Sequence, residues 1–424
     1  MTGPASSRPP ILRCLSNGKY ALMEGGFFPN YATGWMQRVG AGWLAWELSE
    51  SPVWLGVIAA ADLAPTLVLA PIAGAFTDRV NPLRVIRAAQ AGLWLQACAM
   101  ALFAYMGWMT IEILFALTFL VGLVYPFHSS ARQSLIPAAV PRADFASAIA
   151  LDSASYHANR FIGPALAALV IPVWGVFGCF LAHMLGSALC LLALAILRMP
   201  PPDRSGVRRG ALFADVLEGL SYARRHAGLL PLLCMLTAAS LFARPLQDML
   251  PGFAGAVFEG GAQGLAWLTS SIGIGAMCGA VFIATRGRLT GLTNVALMGF
   301  ASLSLATLGF TATDHLWVAV AFGMASGFTI NVMSTSTQTL MQHAVDDRMR
   351  GRVMSLYMLI FRGMPALGAL AAGLAGDAFG LRPTFAAGAC LSLAVLFFLL
   401  PRRARMIAEL EPRASASAQT KAGG

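Results

Sequence analysis

Twelve stretches of this chain are each long and apolar enough to cross about 30 Å of hydrocarbon as a helix, and that leaves few folds open. They run over 20–48, 53–77, 84–106, 111–131, 146–171 and 176–197, then over 229–253, 264–285, 293–313, 316–341, 353–377 and 383–401. Composition points the same way, with 57% hydrophobic and 11% charged residues among 424. A soluble domain carries about a quarter charged residues. Lipid is therefore the solvent for much of the chain, and the fold class expected is an all-α membrane protein.

The chain also repeats itself. A shift of 205 lays His128–Gly175 over Met333–Gly380, so that Ser129 falls on Ser334, Gln133 on Gln338, Gly163 on Gly368 and Gly175 on Gly380. A period of half the chain predicts a duplicated body, here two pseudo-symmetric bundles of six helices, rather than a solenoid of small units. The domain boundaries that follow are an N-terminal tail 1–18, a first bundle 19–197, a linker 198–228, a second bundle 229–401 and a C-terminal tail 402–424. The N-terminal tail reads as disordered. The linker carries Pro200-Pro201-Pro202, followed by Leu212, Phe213, Val216, Leu217 and Leu220 at the spacing of a short helix on the membrane surface.

Positive charge orients the chain. Of the 29 Lys and Arg residues, 24 lie in the tails and even-numbered loops, and the odd-numbered loops hold Arg382 alone. Arg38, Arg160, Arg244 and Arg362 fall inside segments. Positive residues stay cytoplasmic, which puts both termini in the cytoplasm of a multi-pass protein of the cytoplasmic (inner) membrane. The net charge of +10 is thus a topological signal and not the footprint of a nucleic-acid partner. The seven cysteines show no paired spacing and read as small buried hydrophobes. No metal-ligand spacing, nucleophile motif or phosphate-binding glycine loop is present, so no cofactor and no enzyme activity is expected.

Several local motifs carry a family resemblance. Gly74-Ala75-Phe76-Thr77-Asp78-Arg79 follows segment two, Gly163-Pro164 lies in segment five, and Arg350-Gly351-Arg352-Val353-Met354-Ser355-Leu356-Tyr357 opens segment eleven. Trp35-Met36-Gln37, Trp43-Leu44-Ala45-Trp46-Glu47-Leu48 and Ser51-Pro52 mark segments one and two. Together with the six-plus-six layout, these resemble the major facilitator superfamily, in its enterobactin-exporter-like branch of drug and siderophore efflux proteins. The resemblance implies a cytoplasmic gate built from Gly74, Asp78, Arg79, Arg132, Arg350 and Arg352. The chain departs from the pattern at Asn81-Pro82-Leu83, where a glycine and two basic residues usually follow. Gly163 and Pro164 resemble the helix kink of exporting, antiport-type members; the alternative is a plain packing kink.

An ionisable group at the bilayer centre costs about 2.5–3.5 kcal/mol, so each needs a partner or a wet route. Arg38 and Asp62 lie at similar depth, and Arg244 and Asp248 share one helix face, so each pair is either a structural salt bridge or part of a substrate route. Glu24, Asp152 and Asp62 are the candidates for carrying a coupling proton, because a desolvated carboxylate binds a proton and releases it when a cation or water approaches. For Glu24 the competing reading is an interfacial side chain that snorkels to water near Lys19. Candidates for the substrate cavity are Asn30, Arg38, His157, Arg160, Arg244, Asp248, Asn331, Gln338 and Arg362. Phe27, Phe28, Met333 and Met358 would add an adaptable apolar lining.

The function these residues and the resemblance lead one to expect is secondary active export of a small organic molecule by alternating access, driven by proton antiport. Proton-coupled import stays open as the alternative. The expected partners are a small-molecule substrate, protons and the lipid bilayer.

Overall fold

The computed structural model describes residues 10–199 and 212–411, and among these it is helical throughout, without strands. The expected linker prolines and Arg204, Arg208 and Arg209 lie outside the described residues. Helix α1 spans Gly18–Ser49, α2 Pro52–Arg79, α3 Pro82–Met106 and α4 Ile111–Ala139. Helix α5 is assigned as Phe145–Ile196 but is two crossings joined at Gly175 (φ 63°, ψ −167°). The surface helix α6 is Leu212–Arg225, the bounds expected from its apolar spacing. The seventh crossing is α7 Leu229–Ala238 and α8 Leu246–Gly252, with π turns at Ala239–Ala243 and Phe253–Val257. Then come α9 Gly261–Arg286, α10 Leu292–Ala312, α11 Leu316–Ala344, α12 Asp347–Phe379, α13 Leu381–Leu399 and the short α14 Arg403–Leu410.

Ten helical stretches among the described residues are long and apolar enough to span a membrane. One of the ten is the double crossing α5, and α1 supplies the twelfth crossing. Glu24, Asn30, Gln37 and Arg38 dilute the hydropathy of α1. Large apolar side chains face outward, with Phe397, Phe398 and Leu169 each 71% exposed at the protein surface, as lipid contact requires.

The contacts divide the chain into two compact units. One holds the residues up to Glu50 and those from Ala61 through α5; the other holds Ser51–Ala60 and everything from α6 onward. The first turns of α2 join the second unit because small residues let them approach α12. A Cβ on Gly56 would sit 2.5 Å from the Ala369 carbonyl oxygen, and one on Gly373 would sit 2.6 Å from that of Pro52.

The duplication is visible helix by helix. Ile111–Ala139 and Leu316–Ala344 are offset by the same 205 residues as the sequence repeat. Gly163 lets α5 lie against α1, where a Cβ would be 2.5 Å from the Ala32 carbonyl oxygen. Its counterpart Gly368 lets α12 lie against the seventh crossing, 2.7 Å from the Leu241 carbonyl oxygen. Gly175 and Gly380 (φ 88°, ψ 154°) both turn the chain between consecutive crossings in backbone conformations essentially reserved for glycine.

Three expectations need correction. The tail is not wholly disordered: Pro10–Ser16 forms a 3-10 helix, Cys14 is fully buried and Arg13 pairs with Asp144 at 3.3 Å. Helix α4 runs two turns beyond 131, so Arg132 is a helix residue rather than a loop cation. Helix α12 begins at Asp347, which brings Arg350 and Arg352 into its first turns.

Matched alanine substitutions test the glycine contacts. Gly163→Ala and Gly368→Ala should each lower the thermal midpoint of detergent-solubilised protein by several degrees, because forcing a methyl into a filled contact costs about 1–3 kcal/mol. Gly351→Ala, where no atom lies within 4 Å of the new Cβ, should leave the midpoint unchanged or raised. Equal shifts at all three positions would refute the contact argument. Gly175→Ala and Gly380→Ala should each destabilise by about 1–3 kcal/mol through backbone strain, read in the same thermal scans.

Candidate functional site

Helix α1 sets the frame. Asn17 caps its start, its side chain accepting from the Lys19 amide at 3.1 Å. Both limbs of α5 close on it. Gly163 admits α1 to the first limb, and Gly186 and Gly26 admit it to the second. Tyr20 Oη donates to the Ala148 carbonyl at 2.8 Å and ties the inner ends of α1 and α5 together. On one face of α1, Phe27, Tyr31 and Trp35 recur at four-residue spacing and form an aromatic ladder. Phe27 and Tyr31 stack at 6.0 Å between centroids, and Tyr156 of α5 meets Tyr31 at 5.8 Å and Trp35 at 6.2 Å.

Arg132 of α4 inserts at the lower end of this ladder. Its guanidinium carbon lies 4.7 Å from the ring centroids of both Phe27 and Tyr31. It forms an ion pair with the Asp152 carboxylate, and its Nη2 lies 3.7 Å from Glu24 Oε2. Arg132 and Glu24 are both buried, which removes the snorkelling reading of Glu24. It also places Arg132, expected at the gate, among the carboxylates. Two carboxylates thus share one guanidinium, leaving a formal surplus of one negative charge. One proton or one cation brings the cluster to neutrality. Asn159, two turns along α5 from Asp152 and fully buried, forms no hydrogen bond through its side-chain amide among the described residues.

A second cluster sits at the upper end of the ladder. Arg38 Nη1 donates to Asp62 Oδ2 at 2.6 Å, the salt bridge that their matching depth suggested. Arg38 and Arg160 approach the same ring, their guanidinium carbons 5.7 and 5.6 Å from the Trp35 centroid. Unlike Arg132 these groups are partly open, with 37% of the Arg38 side chain and 24% of Asp62 exposed. Asn30, expected in the substrate cavity, stands apart from this cluster. It is buried, and its amide oxygen accepts from Gln90 Nε2 at 3.4 Å, while the same nitrogen donates to Ser187 Oγ at 2.7 Å. Polar groups in a lipid-embedded bundle find one another, and here they fasten α1, α3 and the second limb of α5.

In the second unit Arg244 follows the π turn at Ala239–Ala243, donates from Nη1 to the Phe361 carbonyl at 2.5 Å and lies 4.2 Å over the Phe361 ring. That carbonyl lacks its normal helical donor because Pro365, four residues on, has no N–H. Asp248 is half-buried one turn along. Asn331 accepts from the Thr335 hydroxyl at 3.5 Å, Gln338 is half-buried, and Arg362 is exposed. Of the gate residues, Gly74 has open space around it, and Asp78 and Arg79 are exposed at the end of α2. Arg350 Nε donates to the Gln342 carbonyl at 3.2 Å, and Arg352 pairs with Glu218 of α6 at 2.8 Å. Of His157 only the helical backbone is described. The ladder itself escaped the reading of the sequence, although the four-residue spacing of three large rings beside polar residues was there to be found.

Comparison with known proteins fits this architecture. The profile of a family described as transmembrane secretion effectors matches residues 27–422. The chain is 22% identical to the staphyloferrin A transporter of Staphylococcus aureus, over 88% of this chain and 94% of that one. It is 26% identical to the multidrug efflux pump Tap of Mycolicibacterium fortuitum (85% and 90% covered) and 21% identical to macrolide efflux protein A of Streptococcus pyogenes (80% and 84%). Among solved structures, a mutant of the nucleoside transporter NupG superposes with a TM-score of 0.72 at 13% identity, over 91% of this chain and 99% of that one. A D-xylose–proton symporter gives 0.68 at 11%, over 94% and 98%. Membrane-spanning helices in two duplicated halves, charges held inside them and a profile match over nearly the whole length make this chain a member of the major facilitator superfamily, in its family of transmembrane secretion effectors.

Proposed function

We propose that this transporter expels a small organic molecule from the cytoplasm across the inner membrane, with both termini cytoplasmic, in exchange for protons. Its two six-helix halves give alternating access. The observation that carries the reading is the Glu24–Arg132–Asp152 cluster, in which two carboxylates and one guanidinium share a buried site. Such a cluster alternates between a charged and a neutral state by binding one proton, and moving it through lipid-embedded protein is cheaper in the neutral state. The efflux functions named for the multidrug and macrolide relatives support the outward direction.

Inverted membrane vesicles with an imposed pH gradient decide the direction. Accumulation of substrate inside them indicates export, and accelerated loss would indicate import and overturn the reading. Glu24→Gln and Asp152→Asn should each reduce gradient-driven accumulation at least tenfold while leaving the protein folded and monodisperse. Undiminished transport in both variants would remove the cluster from the coupling step. Arg132→Gln should do more damage than either, because it leaves two buried carboxylates without their cation, a loss of about 3–5 kcal/mol visible as a lower thermal midpoint. Tags on both termini should be accessible only from the cytoplasmic side.

A further inference from the structure

The last crossing ends on exposed rings followed closely by exposed cations. Phe397 and Phe398 are each 71% exposed at the end of α13, and Leu391 is exposed earlier along it. Apolar surface that bare in a spanning helix belongs in hydrocarbon. Arg402 follows Phe398 by four positions and Arg405 by three more, across the 3-10 turn Leu400–Arg402. Four helical residues rise about 6 Å, which carries the chain from the acyl chains to the level of lipid phosphates. Both arginines are exposed there.

Their position is fixed, because α14 is fastened along its length. Met406 and Leu410 are buried, Leu410 against Gly228. Arg403 Nε donates to Asn294 Oδ1 at 2.6 Å. Glu411 accepts from the Gly291 and Thr293 amides at 2.6 and 2.9 Å and so caps the start of α10. The nearby carboxylates are engaged elsewhere. Glu409, four residues from Arg405, lies 3.7 Å from His226 Nε2 instead. Among the described residues neither Arg402 nor Arg405 forms an ion pair. Arg402 stands close enough to α7 for its charge to act on the exposed Cys234, beside the contact of α7 with α13.

We propose that Arg402 and Arg405, with Phe398 beside them, bind an anionic phospholipid of the leaflet on the C-terminal side. The guanidinium planes take the phosphodiester oxygens in paired, charge-assisted hydrogen bonds, and an acyl chain runs along Phe398 and Leu391. An anionic leaflet draws basic groups at this depth, and the fastened α14 presents two of them without further ordering. In the topology proposed above the leaflet is the cytoplasmic one.

The test is equilibrium binding to the purified full chain in detergent, which depends on neither topology nor the direction of transport. A phosphatidylglycerol with a fluorescent tail is followed by anisotropy and competed with unlabelled phosphatidylglycerol, phosphatidylcholine of the same acyl chains, and inorganic phosphate. Binding should saturate, and phosphatidylglycerol should compete at least tenfold better than either of the others. Each arginine should contribute about fivefold, so Arg402→Gln with Arg405→Gln should weaken binding at least tenfold, while lysine at both positions keeps part of it. Phe398→Ala should weaken both lipids and leave their ratio unchanged. Arg142→Gln, at an exposed arginine of the first unit, should change nothing. Thermal scans confirm that each variant is folded. Equal competition by phosphatidylcholine or by inorganic phosphate, undiminished binding in the double glutamine variant, or an equal loss in Arg142→Gln overturns the lipid site. Binding as expected beside a C-terminal tag found outside the cytoplasm would keep the site and reject the topology.

Discussion

A guanidinium sealed among helices that lipid surrounds is the costliest object in this protein, and the first unit is arranged around it. Arg132 is held by two carboxylates from two other helices and by two aromatic faces from α1. Each cation–ring contact is worth about 0.5–2 kcal/mol where water is excluded, while removing one partner of a buried pair costs about 3–5 kcal/mol. The position of α4 against α1 and α5 therefore follows from the charge as much as from apolar packing. The glycines serve the same end. Gly163, Gly26 and Gly186 bring α5 close enough to α1 for Asp152 to reach the guanidinium that Glu24 also faces.

Duplication conserves the scaffold and frees the chemistry. Gly163 and Gly368 admit equivalent helix contacts, and Gly175 and Gly380 adopt equivalent turns, because those positions answer to backbone geometry that both halves share. The charges answer to something else. Under the same 205-residue shift Arg132 falls on Thr337 and Asp152 on Tyr357, so the second half has no copy of the carboxylate cluster. Thr337 and Tyr357 are both buried there, Tyr357 within an apolar core. A symmetric frame carries an asymmetric set of charges.

Much of the fold was legible because lipid imposes a length on each crossing and a sign on each loop. The spacing of Leu212, Phe213, Val216, Leu217 and Leu220 placed α6, and Gly175 and Gly380, matched in the repeat, fall between the expected crossings. Depth arithmetic paired Arg38 with Asp62. What hydropathy could not show was where a helix continues past its apolar stretch. Ser134 and Gln133 look like loop residues, yet α4 carries on to Ala139, and Arg132 passes from an inferred gate to the centre of the carboxylate cluster. Nor could composition separate Asn30, tied up with Gln90 and Ser187, from a residue lining a route, because both uses put one polar residue in an apolar run.

Arg244 shows why a charge within a crossing does not by itself mark a coupling site. Pro365 removes the donor that the Phe361 carbonyl would have met inside α12, and the guanidinium fills that place at 2.5 Å while resting on the Phe361 ring. The π turn before Arg244, closed by its own amide on the Ala239 carbonyl at 2.9 Å, shifts the helix register there by one residue. A main-chain carbonyl cannot take up or release a proton, so this contact stays the same whatever the pH. The Arg132 contacts involve two carboxylates, which can. Of these two sets of contacts, the one made with carboxylates is the one through which a proton gradient can act.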